Sequence, residues 1–426
     1  MRFLRDLIKT PSFRTLGVFA GGNLFVAVLG GLGGLIQARW IAPEVFGEFR
    51  KFGILTTYLN IGLVVVHDGL SRQFPYLLGQ GNKIAALHVA ATAKWWYLLL
   101  SWFFSSIFAG LSLTSAMQGD YRSAVGWGAQ IPIIWAAIYG AYLGVMYRTS
   151  FDFKRLAYNN VITSVLGFGA LALVKVWGYW GLAARVILGS TVGLHLGRRY
   201  VPVKVRAALD GKDLVALARI SLPLSIPGYI GTSCLSASLS FIVLHYCGQS
   251  GLGVYGMALA FQAMALTLTA AVRQMFITKL THKFGETGDV SACLKYAKLP
   301  TLLSVAAASG LALALCLAVG PFICLILPKY VAAIPVIRIL ALELPLSAAS
   351  LPLLILQAAL WYKSVIAMAL TPFLVCLALV AILPKTLGVI AACMIVGDFS
   401  ALIVGFGILR CKRQTWSMRA AKLIRS

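Results

Sequence analysis

The sequence predicts an all-α polytopic membrane protein of about twelve transmembrane helices, arranged as two six-helix lobes related by a parallel repeat. Three observations predict it. Of the 426 residues, 60% are hydrophobic and 12% charged, where a soluble domain carries about 25% charge. Mean hydropathy is +0.87, and uncharged runs recur from end to end, each near the roughly 20 residues that carry a helix across a bilayer. Short segments of the first half also recur, in order, in the second.

Turn signals between the apolar runs delimit the elements. The first half gives spans at roughly 16–38, 47–67, 92–113, 124–146, 157–175 and 178–196. Span one, "GVFAGGNLFVAVLGGLGGLIQA", is rich in glycine, and Asn23 and Gln37 are its strongest polar groups. Span two carries Thr56, Asn60 and His67, whose spacings of 4 and 7 share one face of a continuous helix. Span three opens on "KWWY" (94–97), and "VWGYWG" (176–181) separates spans five and six. Both suit the aromatic belt at a membrane edge.

The second half gives spans at roughly 219–244, 252–274, 299–320, 333–357, 364–383 and 387–409. Span seven brings Ser221, Ser225, Thr232, Ser236 and Ser240 near one face, with Pro223 and Pro227 as kinks. That face reads equally as a polar lumen or as small residues permitting close packing. On span eight, Tyr255, Gln262, Thr269 and Arg273 follow spacings of 7, 7 and 4 on one face. Within later spans lie Glu343 ("LALELP") and Asp398 ("IVGDFS").

"RDLI" (5–8) returns as "KDLV" (212–215), and "GNKIAAL" (81–87) as "GDVSACL" (288–294), both at an offset of 207. "FGEF" (46–49) returns as "LGVY" (252–255), and "DYRSA" (120–124) as "KYVAA" (329–333), at nearly the same offset. Two lobes follow, 1–203 and 204–426, with the substrate path expected between them.

Lys and Arg number 37 against 12 Asp and Glu, a net charge of +25. In a soluble chain this would suggest nucleic acid. Here the cations fall in loops and tails, about 28 on one side and about eight on the other, which is the positive-inside asymmetry. Both termini are therefore expected on the cytoplasmic side of a cytoplasmic (inner) membrane, with no nucleic-acid partner. "MRFLRDLIKTPSFR" reads as a retained amphipathic leader, because no cleavage pattern follows it. The eight cysteines form no CxxC pair and read as small buried hydrophobes, so neither metal nor cofactor is expected.

The stretch "ARWIAPEVFGEFRKFGILTTYLNIGLVVVHDGLSRQFPYLLGQGNK" (38–83) resembles the second-helix region of bacterial lipid-linked oligosaccharide flippases, the O-antigen and polysaccharide translocases. "LPKYVAAIPVIRILALELPLSAAS" (327–350) resembles the stretch through their tenth helix. These belong to the multidrug/oligosaccharidyl-lipid/polysaccharide exporter superfamily. The resemblance implies that undecaprenyl-pyrophosphate-linked oligosaccharide moves from the cytoplasmic to the outer leaflet by alternating access, with glycan polymerase machinery as a further partner. Murein-precursor flippases of that superfamily usually carry two further helices, for which this chain has no residues. The family's basic residues in the first helix are also missing here.

A flipped glycolipid brings a pyrophosphate, a wet sugar chain and a polyprenyl tail. The pyrophosphate calls for a cavity-facing Arg or Lys, and the sugars for neutral hydrogen-bonding groups and aromatics. The candidate substrate-binding residues are Arg273, Arg72, His67, Asn60, Gln262 and Asn23. Arg273 and Arg72 read equally as positive-inside anchors, and His67 as a satisfied polar contact. The intramembrane acids Glu343 and Asp398, with Asp68 at an inner edge, are candidates for ion coupling or a gate, against simple structural pairing. Arg185 reads as a snorkelling or paired cation.

Nucleotide-driven transport is disfavoured, since no GxxxxGK[ST] occurs, and no catalytic constellation stands out. Transport, rather than an enzyme activity, is therefore expected. The rivals are a multidrug/cation antiporter of the same superfamily, and a membrane-embedded glycan polymerase or ligase. A cation antiporter favours cavity carboxylates, whereas a polymerase or ligase needs a sizeable outer loop.

Overall fold

The computed structural model describes residues 11–425 apart from 151, 288 and 360. Most of the expected leader and the first repeat segment, "RDLI", lie outside the described residues. All regular structure among the described residues is helical. The chain is a multi-pass membrane protein, with every expected span matched by helix.

The first half opens with α1 (Pro11–Trp40). Next come α2 (Pro43–Leu59), a 3-10 turn (Asn60–Val65) and α3 (His67–Gly79), which together replace the single helix expected for span two. The helix α4 (Lys83–Met117) runs well past its apolar run, whereas α5 (Tyr121–Thr149) matches its run closely. Then follow α6 (Phe153–Gly169), α7 (Leu171–Trp177) and α8 (Tyr179–Arg199). At the tight turn between α7 and α8, Gly178 has φ +52°, a conformation that other residues rarely adopt.

Residues 200–210 form the extended linker to α9 (Gly211–Gly228), which passes through a π-helical turn (Tyr229–Cys234) into α10 (Leu235–Thr287). At 53 residues α10 would span about 80 Å, more than twice the hydrocarbon core. Gly248 breaks it with φ 69° and ψ −170°, separating spans seven and eight. The helix α11 (Val290–Ile326) follows. Span ten is fragmented into a 3-10 turn (Pro328–Ala333), α12 (Ile334–Leu340), α13 (Glu343–Ala349), a second 3-10 turn (Leu351–Leu353) and α14 (Leu354–Ala358). The helices α15 (Tyr362–Ile382) and α16 (Leu387–Arg425) complete the chain.

Helix starts follow from capping chemistry. Side chains of Asn82, Asp120, Asp152, Asp210 and Asp289 accept the first free amides of α4, α5, α6, α9 and α11.

The chain divides into two compact units, Met1–Tyr229 and Ile230–Ser426. This division falls one helix beyond the linker at which the repeat divides the sequence, because α9 packs on α3 and on the 3-10 turn before it. The core of unit 1 joins Val66, Leu70 and Phe74 to Tyr97 and Phe108 of α4, Ile134 and Met146 of α5, and Leu217 of α9. In unit 2, Phe276 and Leu280 of α10 pack with Leu351–Leu356 and Leu409.

Candidate functional site

In unit 2, α10, the broken tenth span and α16 bring three charged side chains into one cavity. Arg273, Glu343 and Asp398 line it, together with Ser347, Ser350 and Gln357, around a volume of about 190 Å³. Fragmentation of span ten sets this geometry. Two turn residues, Ala341 and Leu342, interrupt the helix directly before Glu343. The carboxylate of Glu343 accepts a hydrogen bond from the Gln262 amide of α10. At the far end of α13, Arg273 donates to the Ser350 hydroxyl at 3.5 Å, a long and weak contact.

Arg273 forms no ion pair with either carboxylate among the described residues. Four sequence candidates, Arg273, Gln262, Glu343 and Asp398, are therefore gathered at one place. The serines and Gln357 that complete the lining carry no special signal in sequence, since Ser and Gln recur throughout the apolar spans. Arg338, the nearest cation to Glu343 in sequence, turns away: its Nε donates to the Cys316 carbonyl at 3.2 Å.

The unit 1 candidates are dispersed. His67 Nδ1 and the Tyr97 hydroxyl share a 3.0 Å hydrogen bond. The carboxylate of Asp68 accepts from Ser225 at 2.7 Å, and its backbone amide donates to Ser221 at 3.2 Å. Ser221 in turn donates to the Val64 carbonyl at 2.7 Å. The two serines of span seven thus bind protein, fastening α9 to the break in span two. Thr56 donates to Gln130 at 2.8 Å. The carbonyl oxygen of Asn60 is buried without a partner among the described residues, whereas Arg72 is exposed on α3. The 3-10 turn between Asn60 and His67 means that the one-face spacing does not extend to His67. The Asn23 side chain lies outside the described residues.

Arg185 is paired rather than snorkelling. It donates to the Gln37 side chain and, at 2.9 Å, to the Gly167 carbonyl near the junction of α6 and α7.

A second cavity, of about 550 Å³, is built entirely in unit 1 and carries no charged side chain. Asn159, Asn160, Thr163, Ser164 and Ser190 line it. Open space stands where side chains would begin at Gly30, Gly140, Gly144 and Gly189. The missing side chains at these glycines make room for the cavity.

A family model described as "Polysaccharide biosynthesis protein" matches residues 36–295, which include the first resemblance stretch and end before the second. No curated protein matches the chain. Among solved structures, the chain is similar to an inward-facing multidrug resistance MATE family transporter of the MOP superfamily. Their TM-score is 0.67 at 16% identity, over 92% of this chain and 96% of that one. An outward-facing structure of such a transporter gives a TM-score of 0.64 at 15% identity, over 97% and 98%. The lipid II flippase MurJ, in an inward closed conformation, gives 0.69 at 12% identity, over 92% and 87%. At such identities the likeness is one of fold.

Proposed function

The chain belongs to the polysaccharide biosynthesis protein family, and on that premise we propose that it flips an anionic, polyprenyl-pyrophosphate-linked oligosaccharide from the cytoplasmic to the outer leaflet by alternating access. Arg273 carries the reading. A half-buried guanidinium in an otherwise uncharged span, with no carboxylate bonded to it, is expensive to keep. A ligand phosphate would meet its planar fork with two parallel hydrogen bonds. The neutral amide- and hydroxyl-lined cavity of unit 1 supplies the chemistry that a sugar chain needs, without competing for the pyrophosphate. Glu343 and Asp398 are then the groups for proton or cation coupling, while Asp68 ties helices together.

A second reading, a cation antiporter, is favoured by the two carboxylates beside Arg273. A polymerase or ligase is less well supported: the longest stretch without helix among the described residues is the linker at 200–210.

Cells lacking the protein should accumulate glycolipid on the cytoplasmic leaflet, and wild-type protein should clear it. Arg273→Gln should flip on the order of 10–100-fold more slowly, the worth of a charge-assisted hydrogen bond, with Arg273→Lys in between. Undiminished polymer export in the deleted cells would refute the flippase. Glycolipid piling up on the outer leaflet would point to a polymerase or ligase.

A further inference from the structure

A second concentration of positive charge lies in unit 1, where the linker folds back over the helices. Lys94 of α4, His195, Arg198 and Arg199 of α8, and Lys204 of the linker line one cavity of about 500 Å³, with no carboxylate among the lining residues. Tyr139 and Tyr142 also line it, their rings stacked at 15° with centroids 5.7 Å apart. Tyr142 is 1% exposed, and its buried hydroxyl has no hydrogen-bond partner among the described residues.

Basic residues at the end of α8 are explained in part by the positive-inside bias and by the helix C-terminus. Neither explains a cavity. Anchoring cations spread outward along a lipid-facing surface, whereas these come from three separate stretches of chain and converge. The linker is held in place, since Lys94 donates to the Val205 carbonyl at 2.6 Å and the Ala208 amide donates to the Ala91 carbonyl at 3.3 Å. Arg198 and Lys204 have no hydrogen-bonded or ion-paired partner among the described residues, and like charges gathered this closely repel unless an anion sits between them. A buried donor without an acceptor, at the wall of a cationic cavity, fits the same missing partner.

Depth identifies the chemical class. Lys94 begins the "KWWY" aromatic stretch near the edge of span three, the level at which lipid headgroups lie. Basic pockets between helices at that level bind phosphorylated headgroups.

We propose that this cavity holds the phosphate of a membrane lipid headgroup, either the phosphodiester of an anionic phospholipid or the pyrophosphate of a polyprenyl carrier. Arg198, Arg199 and Lys204 would clasp the phosphate oxygens, with the Tyr142 hydroxyl donating from below. The site is built wholly from unit 1 and does not rest on the transport reading.

Native mass spectrometry of the purified full chain tests it, with phosphatidylglycerol, undecaprenyl pyrophosphate or phosphatidylcholine added separately. One or both anionic lipids should be retained in preference to phosphatidylcholine. Which of the two is retained identifies the source. Arg198→Gln combined with Lys204→Gln removes two exposed side chains that hold no protein group, so the fold should survive. Retention should then fall on the order of 30-fold, from two headgroup-level cations. Lys295→Gln with Lys298→Gln, an exposed pair in unit 2, serves as the control for net charge and should leave retention unchanged. Equal retention of phosphatidylcholine, a double variant that binds like wild type, or an equal loss in the control would overturn the proposal. Glycolipid flipping by the same double variant reports on the transport reading separately.

Discussion

Acidic residues are scarce, 12 in the chain, and half of them have a clear structural partner. Asp120, Asp152, Asp210 and Asp289 cap helices, Glu48 pairs with Arg122 at 3.1 Å, and Asp68 is held by Ser225. That leaves Glu343 and Asp398 as the intramembrane carboxylates sharing a cavity with a cation. Each stands out in sequence as a polar residue inside an apolar run, as do Arg273 and Gln262. Their convergence is not legible there, because it depends on where α10, α13 and α16 meet. If the pair couples transport to an ion gradient, Glu343→Gln and Asp398→Asn should each abolish the stimulation of flipping by that gradient in vesicles. Glutamine at 343 can still accept from Gln262, so the packing around it should be kept. Stimulation that persists in both variants would remove the pair from coupling.

At the scale of elements, apolar runs locate helices well but give neither their ends nor their breaks. The expected third span, roughly 92–113, sits inside α4, Lys83–Met117, because hydropathy registers the hydrocarbon core and not the turns that continue into the headgroups. The break in span two is likewise hidden, since a 3-10 turn alters hydrogen bonding without altering composition. Its freed carbonyls are met by neighbouring helices: Trp96 donates to Gly62 at 3.1 Å and Ser221 to Val64. Close approach of α9 makes this possible, and Gly69 permits the approach. A Cβ there would stand 2.4 Å from the Leu217 carbonyl oxygen and 3.2 Å from its Cα, backbone atoms that cannot swing aside. Gly69→Ala should therefore cost about 1–3 kcal/mol by overpacking and lower the thermal unfolding midpoint in detergent by several degrees. Gly140→Ala, which meets nothing within 4 Å, should leave the midpoint unchanged or raise it slightly. Equal midpoints for the two variants would mean that the α3–α9 contact is looser than its geometry.

At the scale of the whole molecule, the charge distribution makes a claim about sidedness that neither helix packing nor fold similarity addresses. The linker with Lys204 and Arg206 and the tail beginning Arg410, Cys411, Lys412 belong to the basic side, whereas the loop at 383–386 carries one cation, Lys385. The positive-inside rule then puts residue 207 in the cytoplasm and residue 384 outside. Both Ala207 and Pro384 are exposed and lie in segments without helix, so a thiol at either should react when reagent reaches it. In a chain whose native cysteines are replaced by alanine, Pro384→Cys should be labelled by a membrane-impermeant maleimide in intact cells. Ala207→Cys should be labelled only after permeabilisation. The reverse pattern would invert the molecule and sink both the direction of flipping and the cytoplasmic placement of the basic cavity. Labelling of both sites in intact cells would break the odd count of crossings, spans seven to eleven, between the linker and the loop before α16, and with it the twelve-span reading. The expected pattern places the cationic cavity of unit 1 on the leaflet where a glycolipid carrier is loaded.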